Sequence, residues 1–240
     1  MTRLDDPALV ADEYADETRL RRRASAYTGA HTALDARVPA VTAVVEARPA
    51  RVLEVGCGWG ELAEWLARDT AAQVVAVDLS ERMVELARAR GVDAQVGDVQ
   101  ELPFADGSFD VAVAAWMLYH VPDLDRGISE LARVLRPGGI LVAVTNSRYH
   151  LLELRELVGS GPSTLNFNRE NGEELLGRHF ARMRREDVNG RLEFASRGEV
   201  EEYVRASISM SPFAGRLPEA IEEPFFARRA SSVFIAEKSA

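Results

Sequence analysis

The stretch Arg51-Val52-Leu53-Glu54-Val55-Gly56-Cys57-Gly58-Trp59-Gly60-Glu61 organises the reading of the whole chain. Its first five residues have strand character and stop at Gly56. Leu62, Trp65 and Leu66 then recur at helical spacing up to Asp69. A glycine-rich turn between a strand and a helix lets a ligand approach the backbone closely. The helix N-terminus behind it offers free N–H groups and partial positive charge.

The same alternation continues downstream. Gln73 to Val77 is a β-branched run and hence a strand. Ser80 stands where an N-cap belongs, Glu81 suits the positive end of the next helix, and Gly91 marks its stop. Ala94-Gln95-Val96 reads as a brief strand and Phe109 to Ala115 as a longer one. Leu124, Ile128, Leu131 and Leu135 share one helix face, which Pro137-Gly138-Gly139 is expected to end. Ile140 to Thr145 is the fifth strand. Five strands separated mainly by helices predict an α/β fold with a parallel sheet buried on both faces. In the tail, His150 to Val158, Glu170 to Arg178 and Gly198 to Ser207 read as helices. Ala181 to Val188, Arg191 to Phe194 and Ser232 to Ala236 read as strands, for about seven strands in all.

Composition excludes several classes. The chain has 240 residues, 47% of them apolar, and a net charge of −9. The longest stretches without Asp, Glu, Lys or Arg, such as Val111 to Pro122, fall short of the roughly 20 apolar residues of a membrane-spanning helix. Met1-Thr2-Arg3 followed by Asp5 and Asp6 lacks the apolar core of a signal peptide. A single cysteine forms no internal disulfide or Cys-rich zinc site, and no His/Cys cluster suggests a metal. A cytoplasmic protein is therefore expected. The acidic balance disfavours nucleic acid as a partner.

The glycine spacing separates ligand classes. A dinucleotide site wants G-x-G-x-x-G. Here the glycines are Gly56, Gly58 and Gly60, and Glu61 occupies the third slot, where a pyrophosphate would meet a carboxylate. The run resembles motif I, E-x-G-C-G-x-G, of class I S-adenosylmethionine-dependent methyltransferases. The resemblance continues through Val77-Asp78-Leu79-Ser80, Gly97-Asp98-Val99, Leu102-Pro103-Phe104, Ser108-Phe109-Asp110 and Arg133 to Gly139. These pieces, in this order over residues 50 to 146, look like the group that includes ubiquinone- and menaquinone-biosynthesis enzymes and many natural-product methyltransferases.

The resemblance implies a Rossmann-like, doubly wound, mostly parallel seven-stranded sheet with helices on both faces. Residues 1–49 are expected to be a helical N-terminal cover. Residues 50–240 would form the methyltransferase domain, with insertions at about 147–168 and 197–230. The implied cofactor is S-adenosyl-L-methionine, leaving as S-adenosyl-L-homocysteine. Its expected contacts are Gly56, Cys57, Gly58, Gly60 and Leu79, with Asp78 on the ribose hydroxyls and Asp98 on the adenine amine. Val99 would face the ring through its N–H, and Met83 would pack on the adenine. Glu54 would orient the turn or meet the methionine ammonium, and Ala115 and Trp116 would approach the methionine end. Asp78, 18 positions after Gly60, also falls near the spacing at which a carboxylate reaches a ribose. Cys57 reads as a small turn residue.

Methyl transfer needs alignment and exclusion of water, and a base only where the acceptor carries a proton. Tyr119 and His120, just after the fourth strand, are the candidate catalytic residues; a structural role for His120 stands beside that reading. His150 could line the acceptor pocket, and Tyr14, Tyr27 or His31 could close the site. The cluster Arg19, Arg21, Arg22 and Arg23 reads first as a solvated face pairing with Asp12, Glu13, Asp16 and Glu17, or else as an anion contact. Ile208 to Phe213 reads equally as pocket wall or core. The leading expectation is a methyltransferase acting on a small molecule through an O, N or C nucleophile. The alternatives are a non-catalytic S-adenosylmethionine-binding protein, a nicotinamide-dependent oxidoreductase, and a methyltransferase acting on RNA or protein.

Overall fold

A computed structural model describes residues 4–27 and 35–239. The elements run α1 (Pro7–Glu13), α2 (Thr18–Ser25), α3 (Arg37–Ala47), β1 (Arg51–Val55), α4 (Glu61–Asp69), β2 (Gln73–Asp78), α5 (Glu81–Ala89), β3 (Asp93–Val96) and β4 (Phe109–Ala115). They continue with α6 (Leu124–Val134), β5 (Leu135–Asn146), α7 (Leu152–Leu157), α8 (Gly172–Leu176), β6 (Arg182–Phe194), α9 (Arg197–Ala206) and β7 (Phe225–Glu237). All strands join one seven-stranded sheet in the order β3-β2-β1-β4-β5-β7-β6. The first five pair in parallel, and β7 pairs antiparallel with both β5 and β6. The fold is thus the Rossmann-like α/β architecture.

Strand order reverses between β1 and β4. The chain leaves β1 toward β3 on one side and returns beside β1 to start β4. At such a reversal the loops diverge, leaving a crevice at the carboxyl ends of the strands where ligands gather. The sheet is buried on both faces. Leu53, Val55, Ala112 and Ala114 pack toward α6 and α8, and Val52, Ala76, Val111 and Val113 toward α3, α4 and α5. Helix α3 belongs to this second layer through Ala40, Val41, Ala43 and Val44. The later insertions, with the end of β6, build a third cluster that includes Leu154, Phe194, Tyr203, Val204 and Met210.

Several boundaries differ from expectation. Helix α6 ends at Val134, and Pro137-Gly138-Gly139 lies inside β5 rather than closing the helix. Leu135 already pairs with Phe109, and a register shift between Phe109 and Val111 absorbs the irregularity. Gly139 has no room for a side chain: a Cβ there would lie 2.9 Å from Arg136 O and 3.0 Å from Asp110 O. The two short strands expected at 181–188 and 191–194 are one continuous strand, β6, paired over its whole length with a β7 that begins at Phe225. Among the described residues no helix is long and apolar enough to cross a membrane.

Candidate functional site

The crevice at the strand reversal is a cavity of about 590 Å³. Its sheet side is built by the Gly56–Gly58 turn after β1, Asp78 and Leu79 after β2, Asp98 to Gln100 after β3, and Ala115 to Met117 after β4. Its opposite side comes from α1 and α2 through Val10, Tyr14, Leu20 and Arg23, and from α9 and its loop through Tyr203 and Met210.

The three turn glycines have different duties. Gly56 has a φ of 66°, and a Cβ there would fall 2.5 Å from the Met117 Cβ. Gly58, with a φ of 53°, faces open space; its nearest neighbour would be the Leu20 Cδ2 at 3.8 Å. Gly60 was expected to contact the cofactor, but it does not line the cavity. Its φ is 83°, and a Cβ there would meet Ala87 Cβ at 2.9 Å, so it serves the approach of α5 to α4. Met83 is a second correction: its side chain is completely buried in the core and is absent from the cavity wall. Leu79, 55% exposed, stands on that wall instead.

Carboxylates gather at this end. The Gly58 N–H donates to Asp78 Oδ2 at 2.8 Å and the Ser80 N–H to Asp78 Oδ1 at 2.9 Å. Burial raises the Asp78 pKa against these two bonds. The Ser80 hydroxyl accepts from Met83 N–H and donates to the Tyr14 carbonyl at 2.7 Å, tying α1 to the rim. Asp98 accepts from the backbone and side-chain amides of Gln100. Glu54 is 2% exposed, and its Oε2 has no hydrogen-bond partner among the described residues. Burial, then the nearby Asp78 charge, pushes its pKa up to about 8. Cys57 is buried and its thiol is raised by burial and by Glu54 and Asp78, which leaves it inert as a nucleophile. Val99 and Ala115 complete this wall. Trp116 adopts a φ of 53°, a left-handed conformation unfavourable for a bulky residue. Its indole N–H donates to Asn146 Oδ1 at 3.1 Å.

His120 is fully engaged. A carbonyl only accepts, so His120 Nδ1 carries the proton donated to Leu4 O at 2.8 Å, and Nε2 accepts from the Tyr14 hydroxyl at 3.0 Å. Burial, with Arg23 assisting, lowers its pKa to about 4. This takes it out of the range of a base near neutrality. Instead it binds α1 to the loop after β4. The Tyr119 ring packs edge-on against His120, with centroids 4.6 Å apart, and burial raises its hydroxyl pKa. We expect the His120 ring nitrogens, followed by NMR, to titrate below pH 5; a midpoint above 6 would contradict this geometry.

The other end of the cavity has the opposite charge. Tyr27, His150, Arg155, Tyr203, Ser209 and Arg229 all face it. Tyr14, Tyr27 and His150 were expected near the site and are there; His31 lies outside the described residues. Within the basic cluster, Arg19 and Arg23 pair with the buried Glu13, and Arg21 with Glu17. Ile208, Ser209 and Met210 are wall residues, whereas Phe213 packs against the third core cluster. Sequence reasoning missed Arg155, Tyr203 and Arg229. Arg155 did leave a signal: it sits four residues after Leu151 and three before Val158, on the helix stripe that is otherwise apolar.

With this geometry in place, comparison with known proteins gives a consistent picture. A family described as a methyltransferase domain matches residues 53–143. Methyltransferase GfsG of Streptomyces halstedii is 46% identical over 99 residues, 38% of this chain and 36% of that protein. The ubiquinone biosynthesis O-methyltransferase of Xanthomonas oryzae pv. oryzae is 42% identical over 125 residues, 49% of this chain and 52% of that protein. The chain thus spans about half or less of the length of these relatives. An S-adenosylmethionine-dependent methyltransferase of Thermotoga maritima, described as a possible histamine N-methyltransferase, has a similar fold. Its TM-score is 0.60 at 22% identity, covering 95% of this chain and 100% of that one.

Proposed function

We propose, from the class I S-adenosylmethionine-dependent methyltransferase domain that this chain carries, that it moves a methyl group from this cofactor to a small-molecule acceptor. The observation that supports the reading most is continuity. One cavity joins the carboxylate-lined mouths of β1, β2 and β3 to a chamber walled by α1, α2 and the late insertions.

The residues fit the cofactor. Glu54 Oε2 is a buried acceptor without a partner among the described residues, suited to an ammonium. Gly58 leaves the backbone bare where a ligand would pass. Asp78 would hold the ribose hydroxyls and Asp98 the adenine amine, with the Val99 N–H facing the ring. Trp116 and Ala115 would lie toward the methionine end. When bound, S-adenosylmethionine supplies a methyl group on a sulfonium, an excellent leaving group.

The chain then has to align the acceptor and keep water out. We assign the cover to α1 and α2. Tyr14 joins them to the site through Ser80 and His120, and Arg23 joins them to α9 by donating to Ala206 O at 2.7 Å. His120 is a positioning residue in this scheme. A walled chamber and a net charge of −9 favour a small acceptor over a polynucleotide. The single cysteine agrees with a cytoplasmic setting.

Calorimetric titration with S-adenosylmethionine and with NAD tests the cofactor. Transfer of labelled methyl from S-adenosylmethionine to a panel of small hydroxyl, amine and activated-carbon acceptors, with tRNA as a separate arm, tests the activity. Tight binding with no transfer to any acceptor would favour a non-catalytic binding protein.

Glu54 adds a pH prediction. Its folded pKa of about 8 exceeds the ordinary 4.5, so the folded state holds this proton more tightly than the unfolded chain. The contribution is complete below pH 4.5 and is lost as the pH rises toward 8. Glu54→Gln keeps a neutral side chain throughout. Its melting temperature is expected to match the parent near pH 4.5 and to exceed it by about 4 °C or more at pH 8.5. A constant difference across that range would rule the assignment out.

A further inference from the structure

Arg155 stands on α7, and only 6% of its surface is exposed. A guanidinium stays charged in a protein, and a buried charge normally has a counter-charge. Arg155 has none among the described residues. Its two terminal nitrogens donate to one neutral atom, Ser209 Oγ, at 3.0 and 3.2 Å. Arg229, on β7, faces the same cavity and also lacks a carboxylate partner among the described residues; its guanidinium lies 4.8 Å from the centre of the Tyr27 ring.

Between these arginines runs a hydrogen-bond chain whose first two links have a fixed direction. The Ala230 N–H donates to His150 Nδ1 at 3.0 Å, so the ring proton sits on Nε2. His150 Nε2 therefore donates to the Tyr27 oxygen at 3.1 Å. Tyr27 and Tyr203 lie 3.0 Å apart, hydroxyl to hydroxyl. One phenolic proton fills that link, and the other is left over at the cavity wall. His150 holds its neutral form under burial and the positive field of Arg229, Arg155 and Arg169. The cavity is thus polarised. The cofactor end carries the Asp78 and Asp98 carboxylates, whereas the far end offers a spare phenol donor and two guanidinium groups that have no carboxylate partner among the described residues.

We propose that this far end is the acceptor subsite and that it takes a small molecule bearing an anionic oxygen group, a carboxylate or a phosphate, held by Arg155 and Arg229 with the Tyr203–Tyr27 pair donating to it. This rests on the methyltransferase reading for the word acceptor; the anion site itself does not need it. The ligand supplies the counter-charge that Arg155 lacks among the described residues, and planar guanidinium donors match either group.

The test uses the whole chain with S-adenosylhomocysteine bound and three probes of one shape: benzoate, phenyl phosphate and neutral benzamide. Titration by NMR or calorimetry is expected to show an anion binding at least tenfold more tightly than benzamide. The benzoate and phenyl phosphate arms decide which oxyanion is preferred. Arg155→Met and Arg229→Gln are each expected to weaken the anion at least tenfold while leaving S-adenosylhomocysteine affinity within twofold. Arg155→Met should also melt no lower than the parent without ligand, because it removes a buried uncompensated charge; a merely structural arginine would lower the melting temperature. Equal binding of benzoate, phenyl phosphate and benzamide, or unchanged anion affinity in both variants, overturns the proposal. Failure to bind S-adenosylhomocysteine while anions still bind would count against the methyltransferase reading alone.

Discussion

Replacing Asp78 with alanine is expected to weaken S-adenosylhomocysteine binding by about a hundredfold or more, with the sheet left intact. Asp78 ends β2 beside the strand reversal, and its two oxygens are aimed by the Gly58 and Ser80 amides at 2.8 and 2.9 Å. A carboxylate so fixed keeps free lone pairs for a ribose diol, and each charge-assisted bond contributes about 1.5–3 kcal/mol. Two of them correspond to about two to four orders of magnitude in affinity. Asp78→Asn retains one oxygen and should fall between, at about tenfold. Calorimetry reads both values, and a loss under threefold for Asp78→Ala would remove this residue from the cofactor site.

The second result concerns folding. Gly56→Ala is expected to destabilise the protein by about 3 kcal/mol, from about 1–2 kcal/mol for an L-residue in left-handed backbone and the remainder from overpacking. The added Cβ would sit 2.5 Å from Met117 Cβ and 2.7 Å from its Cγ, and Met117 follows a Trp116 that is itself left-handed. Neither neighbour can yield without moving the end of β4. For a chain of this size the melting temperature should fall by roughly 6–12 °C. Gly58→Ala separates the two duties of the turn. It has the backbone cost but meets nothing nearer than 3.8 Å, so it should melt only slightly lower while its methyl group projects where the cofactor would lie. A larger melting loss for Gly58→Ala than for Gly56→Ala would refute this division.

The alternation of short apolar strands with amphipathic helices is local, and so it was readable. Helix Glu61–Asp69 has the expected bounds, and β2 differs from expectation by one residue. Asp78 and Asp98 were legible as strand-end carboxylates for the same reason: their placement depends on the few residues before them. The β6–β7 ribbon was only partly readable. Arg184, Arg185, Glu186 and Asp187 give β6 no apolar alternation, because as the edge strand it takes its order from pairing with β7. Met83 was misplaced because a methionine's spacing in a helix does not say whether the core or a ligand receives it.

Order along the chain therefore established the α/β alternation, the glycine turn and the carboxylates at the strand ends, since each follows from neighbouring residues. The state and purpose of the remaining side chains came from contacts across the fold. Tyr14 meets His120 from 106 positions away and Tyr27 meets Tyr203 from 176. Burial and distant partners, which no local spacing encodes, make His120 a neutral tether. The same non-local packing leaves Arg155 without a counter-charge among the described residues and gives the cavity different polarity at its two ends.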